Sequence, residues 1–143
     1  MMLRAIPILV LSGAAACSAP QPAAFAREML TAHNAVRARV KAPPLTWSPR
    51  LAAAARAWAE TLISRGRFEH NSHTGYGENL FEIQGRRATP SEVVGDWAAE
   101  AANYDWKANL CHGTCGHYTQ IVWRDTKEVG IRIFRGVLGL HSR

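Results

Sequence analysis

The chain has 143 residues, 48% of them hydrophobic and 20% charged, with a formal charge of +6. That length holds one domain with a core of its own, without a dense disulfide framework from its three cysteines. Fourteen of the seventeen basic residues are arginine, but no basic run carries interleaved aromatics. This argues against a nucleic-acid partner and leaves a solvated basic surface with, at most, loose attraction to anionic membrane or wall polymers.

Residues 1–26 read as an export signal. Arg4 supplies the positive start, and the apolar run from Ala5 to Ala16 is too short to span a bilayer. Two processing sites compete. Ala24-Phe25-Ala26 fits a small-x-small peptidase site, while Ala14-Ala15-Ala16-Cys17 is similar to a bacterial lipobox, with Ala14 where leucine is usual. The second would make Cys17 a lipid anchor and Ser18 to Ala24 a flexible tether. The expected location is secreted or cell envelope, periplasmic or extracellular, with peripheral membrane contact only through that anchor.

Residues 27–135 form the predicted domain. The first helix covers 27–41 with an apolar stripe of Met29, Val36 and Val40, with Ala32 and His33 between them. Pro43-Pro44 ends it. Asn34 and Arg37 share a face three residues apart and read as structural, tying the helix to loops. Ser48 is the expected cap of a second helix, with Pro49 in its first turn and Gly66 past its end. Leu51, Ala55, Trp58 and Leu62 recur at helical spacing, so Trp58 is expected to pack rather than bind a ligand. Residues 67–88 read as a long irregular segment holding Phe68, His70, His73, Tyr76 and Gly77-Glu78-Asn79-Leu80. Long ordered loops in compact domains tend to be functional. Thr89-Pro90-Ser91-Glu92 is a capping box that opens a third helix running to about Tyr104. Its stripe is Val93, Trp97, Ala101 and Tyr104, and Glu100 sits on or beside it, where a carboxylate needs a partner.

Residues 105–115 form a loop holding Cys111, His112 and Cys115. With His117 they are dense enough for a zinc knot, but export favours a Cys111–Cys115 disulfide. Gly116 to Thr126, GHYTQIVWRDT, alternates large side chains on two faces and reads as a strand and turn. Val129 to Phe134 would return as its hairpin partner, and residues 136–143 have no periodicity and read as an irregular tail.

That GHYTQIVWRDT segment resembles a signature of the CAP superfamily of cysteine-rich secretory proteins, antigen 5 and pathogenesis-related 1 proteins. His33-Asn34-Ala35-Val36-Arg37, Gly77-Glu78-Asn79-Leu80 and the Trp97-x-x-Glu100 helix resemble three further motifs, in family order over residues 28–133. The resemblance implies an α+β fold, a three-layer α-β-α sandwich with a small antiparallel sheet. It implies a structural role for Asn79 and a cleft lined by His70, Glu78, Glu100 and His117, with His73 a rival for the place of His70. Two imidazoles, His70 and His117, are the candidate ligands for zinc or another divalent cation, and the carboxylates would ligate or orient them.

A family-type final signature is missing after Phe134, so the sheet is expected to lack a strand and expose an edge. The first functional expectation is an exported monomeric binding module for a lipid- or sterol-like ligand or a cell-envelope component. A metal-dependent hydrolase using the same cleft is the second, and a truncated relative without activity the third. No catalytic residue is assigned, because neither GxSxG nor HExxH occurs.

Overall fold

The computed structural model describes residues 23–134 and 137–142. Cys17 and the export segment through residue 22 lie outside the described residues. Helix α1 is Ala24–Arg39, and it starts earlier than expected: Ala26 is buried and Phe25 packs on the core. Its inward face is Ala26, Met29, His33, Val36 and Arg37, at helical spacing. The Asn34 side chain then bonds both backbone groups of Leu45, donating to its carbonyl at 3.1 Å and accepting from its amide at 2.7 Å. An amide side chain thereby stands in for a strand partner and holds the post-helix loop against α1.

Strand β1 is only Thr46–Trp47, and helix α2 is Pro49–Arg65. Ser48 precedes α2 but makes no side-chain cap, contrary to the sequence expectation. It is buried, and its amide donates to the Val129 carbonyl at 2.9 Å, so β-pairing fixes the residue instead. Gly66 ends α2 at φ 61°, a left-handed conformation that glycine adopts without a Cβ penalty. Trp58 is half-buried, packs beside Ala59, Leu62 and Leu80, and donates its Nε1–H to the Glu69 carbonyl.

Within the segment expected to be irregular, Gly77–Glu82 forms strand β2. Helix α3 is Pro90–Ala99, and Thr89 and Glu92 close a complete capping box. A 3-10 turn over Glu100–Asn103 finishes it, short of the predicted end at Tyr104. Tyr104–Asp105 is β3 and pairs with β4, Leu110–Cys111, in a small ribbon.

Gly116–Val122, expected to be a strand, is helix α4. Its buried residues are Tyr118, Ile121 and Val122, an i, i+3, i+4 set, while Trp123 is exposed. A helix this short is marginal alone. Tertiary charges hold both ends: the Glu100 carboxylate accepts from the His117 and Tyr118 amides at 2.9 and 3.2 Å, and Arg37 donates to the Ile121 and Trp123 carbonyls at 2.8 Å each. An anion at the N-terminus and a cation at the C-terminus also suit the helix dipole.

Strand β5, Glu128–Phe134, therefore has a different partner from the one expected. Residues 137–142, read as an irregular tail, form β6 (Val137–Ser142) and pair with β5 on one side and β2 on the other. The sheet order is β1-β5-β6-β2, antiparallel except for the short β1–β5 pairing. The expected missing strand is thus present, in the middle of the sheet, and no edge opens there. Helix α2 packs on one face of the sheet, against β5 and β6; α1, α3 and α4 pack together on the other side. Leu80 joins the α2-side cluster, while Val129 and Ile131 join the main core around Met29, Val93, Trp97 and Ile121. Gly130, between those two, is where α2 comes closest: a Cβ there would lie 2.0 Å from the Ala52 amide nitrogen. The result is the expected three-layer sandwich.

Candidate functional site

The four cleft residues read from the sequence form two histidine–glutamate pairs. In the first, Glu78 at the start of β2 has a side chain only 5% exposed and accepts at both oxygens. Oε1 takes His70 Nδ1 at 2.8 Å and the Asn71 amide at 3.1 Å; Oε2 takes His141 Nε2 at 2.7 Å. Burial alone would push this carboxyl up, but the hydrogen bonds from His141, His70 and Asn71 outweigh it and hold it below the usual range. His70, not His73, is the ring that meets Glu78; His73 bonds only through its amide, to Asn71 Oδ1.

In the second pair, Glu100 Oε1 accepts from His117 Nδ1 at 2.7 Å while Oε2 takes the α4 amides. The partner demanded by a carboxylate beside the α3 stripe is therefore a helix end together with an imidazole. The His117 ring stacks on Trp97, with centroids 5.8 Å apart and planes 17° from parallel. Asn79, next to Glu78 on β2, donates to the His117 carbonyl at 3.0 Å and links the two pairs. Arg37 is fully buried and gives its guanidinium to four carbonyls, those of Pro43, Ile121, Trp123 and Thr126. Burial pushes the Arg37 guanidinium down from its ordinary value.

Cys111 and Cys115 are joined to each other, closing the loop that leads into α4. Away from the pairs, a cavity of about 400 Å³ lies between α1 and α3. Ala32, Ala35 and Val36 line one wall and Val94, Gly95 and Ala98 the other, with the exposed Arg39 among them. Small side chains on two facing helices leave this space.

The profile of the cysteine-rich secretory protein family, CAP, matches residues 30–136. The chain is 42% identical over 104 residues to pathogenesis-related protein 1 of Arabidopsis thaliana, covering 73% of this chain and 63% of that protein. The chain belongs to the CAP family. Among solved structures, Schistosoma mansoni venom allergen-like protein 4 superposes with a TM-score of 0.67 at 26% identity, covering 85% of this chain and 88% of that one. An extracellular SCP-domain protein of Bacillus anthracis shares the fold, with a TM-score of 0.62 at 16% identity over 82% of this chain and 39% of that one. The match spans less than two thirds of the plant relative, so that relative's length is only partly represented.

In this CAP domain the family-motif residues play separate parts. Asn34, Arg37 and Asn79 hold backbone, and Glu78 and Glu100 each orient an imidazole. Among the described residues, Nε2 of His70 and of His117 has no hydrogen-bond partner, and a ring fixed at Nδ1 by a carboxylate with Nε2 free suits a metal ligand. No group of three or more His, Cys, Asp or Glu side chains among the described residues is placed to hold an ion.

Three residues near the site went unread in the sequence. His141 is fully buried on Glu78; Ser142 accepts from Gln120 Nε2 at 2.9 Å. All three gain meaning only once β6 enters the sheet. A histidine closing a short apolar run was the available signal.

Proposed function

We propose that this CAP domain is an exported binding module for a lipid-like ligand with an acyl chain and an acidic head, and not a hydrolase. The observation that carries the reading is the groove between α1 and α3. Its volume of about 400 Å³ falls within the span of small-ligand pockets, roughly 300–1,000 Å³. Its alanine and valine walls suit a chain, and Arg39 offers a cation to a carboxylate head.

The histidine–glutamate cleft would hold a divalent cation through His70 and His117, zinc being a fitting one. Bound there, the ion would supply a charged, Lewis-acidic point. Both carboxylates are occupied by histidines and backbone amides, leaving neither free to serve as a general base, which favours binding over hydrolysis.

The test is a fluorescent fatty acid titrated into the full chain and into Gly95→Leu. A Cβ at Gly95 meets nothing within 4 Å, so a larger side chain has room to start into the groove. Saturable binding that weakens at least about tenfold in Gly95→Leu supports the reading, since about 1.4 kcal/mol is the loss of one well-buried contact. Equal binding by both proteins places the ligand elsewhere and defeats it.

A further inference from the structure

We propose that His141 is a positioning residue of the cleft: it pins the Glu78 carboxylate, and through it decides which nitrogen His70 presents. The inference rests on the reading of the cleft as a cation-holding site, and it concerns a residue in β6, outside the motifs that mark the cleft.

Glu78 joins two imidazoles of opposite exposure. The His141 side chain is 0% exposed and that of His70 is 65% exposed. An ionised carboxylate only accepts, so each ring must carry a proton on the nitrogen that faces it: Nε2 in His141 and Nδ1 in His70. His141 Nδ1 is buried without a hydrogen-bond partner, so Glu78 is the side chain that fixes this ring. On His70, Nε2 has no hydrogen-bond partner among the described residues.

The ring of His141 has little room to move. Its backbone is in an interior strand, opposite Gly130 on one side and Glu78 on the other. Tyr76 lies over it at 5.8 Å between centroids, and Arg50 lies over Tyr76 at 5.7 Å while donating to its hydroxyl. Glu78 Oε2 is therefore tied to a rigid donor, which keeps Oε1 turned toward His70 and the Asn71 amide. His70 belongs to a surface segment and has no other hydrogen bond among the described residues to fix its ring.

Without the His141 donor, Oε2 becomes a buried acceptor with no partner, and the carboxylate gains by turning away from His70. Its task is thus the orientation of an exposed ligand by a buried histidine through a shared carboxylate.

The experiment is long-range proton–nitrogen NMR on the ¹⁵N-labelled, metal-free full chain at a pH where the rings are neutral, followed by zinc titration. The wild type should show His70 protonated at Nδ1 and His141 at Nε2. His141→Leu should convert His70 to a mixture of tautomers and lower zinc affinity by about tenfold, the low end of outer-shell losses. His141→Gln, whose amide can still donate to Oε2, should restore both. A wild-type His70 carrying its proton on Nε2 overturns the proposal, even if no variant folds. A folded His141→Leu with the His70 tautomer unchanged also overturns it. Tautomers that shift as expected in a protein that binds no zinc would sustain the role of His141 and defeat the cation reading alone.

Discussion

Replacing Arg37 with methionine removes the cation but keeps much of the side-chain volume. The side chain is fully buried and its guanidinium serves four carbonyls, at 2.6 Å to Pro43, 2.8 Å to Ile121 and to Trp123, and 3.1 Å to Thr126. The bonds to Ile121 and Thr126 are buried, and those carbonyls would stay unpaired at about 1–3 kcal/mol each. The Pro43 and Trp123 carbonyls are partly exposed and would recover water. Helix α4 would also lose the cation at its C-terminal end, about 0.5 kcal/mol or more. The sum is about 2.5–6.5 kcal/mol, centred near 4.5, a large share of a domain's usual 5–15 kcal/mol. Arg37→Lys keeps a charge but cannot fork to four acceptors, so its loss should be intermediate. Urea unfolding followed by far-UV circular dichroism measures both, with m-values checked for two-state behaviour. A loss below about 1 kcal/mol in Arg37→Met would refute the view that this guanidinium holds α4 to α1.

His33 is buried with Nδ1 on the Met29 carbonyl at 2.8 Å and Nε2 without a partner. Burial lowers its pKa to about 4, the Met29 bond opposes this, and Arg37 adds to it. Since the unfolded ring titrates near 6.5, the folded state resists a proton that the unfolded state takes. Stability should fall between about pH 6.5 and 4, by roughly 3 kcal/mol in all; His33→Phe should lack that component when the two unfolding curves are subtracted, and parallel curves would contradict it. Gly130→Ala should cost about 3 kcal/mol or more in thermal or urea unfolding, because its Cβ meets α2 backbone at 2.0 and 2.2 Å and backbone cannot rotate aside; a neutral effect would mean α2 lies further from the sheet. For the cleft, His117→Ala should abolish specific zinc binding in calorimetry, Glu100→Gln should weaken it about 10–100-fold, and His73→Ala should leave it unchanged. Unaltered affinity in His117→Ala would remove that ring from the site.

Elements whose signals are local are legible in the sequence, and those set by tertiary contacts are not. Helix α3 announced itself through the Thr89–Glu92 capping box, and α2 through the Leu51, Ala55, Trp58 and Leu62 spacing with Gly66 behind it. Helix α4 was misread because seven residues cannot separate a period of 2 from one of 3.6, and because its caps come from Glu100 and Arg37, far away in sequence. In β2 the consecutive residues Glu78 and Asn79 are both polar, one bonded to His141 and the other to the His117 carbonyl, which breaks the apolar–polar alternation that marks a strand. The run Val137 to Leu140 does not alternate either, but a short continuous apolar run is the mark of a strand inside a sheet. Within the site, motif order named His70, Glu78, Glu100 and His117 but not which glutamate meets which histidine, and His141 required knowing that β6 lies beside β2.

A crystal structure of the full chain grown with a long-chain fatty acid tests the binding reading most directly. Continuous density should run between α1 and α3 past Ala35 and Gly95, with the carboxylate at Arg39. A clear ligand bound anywhere else, or a groove closed by contact between the two helices, would contradict it.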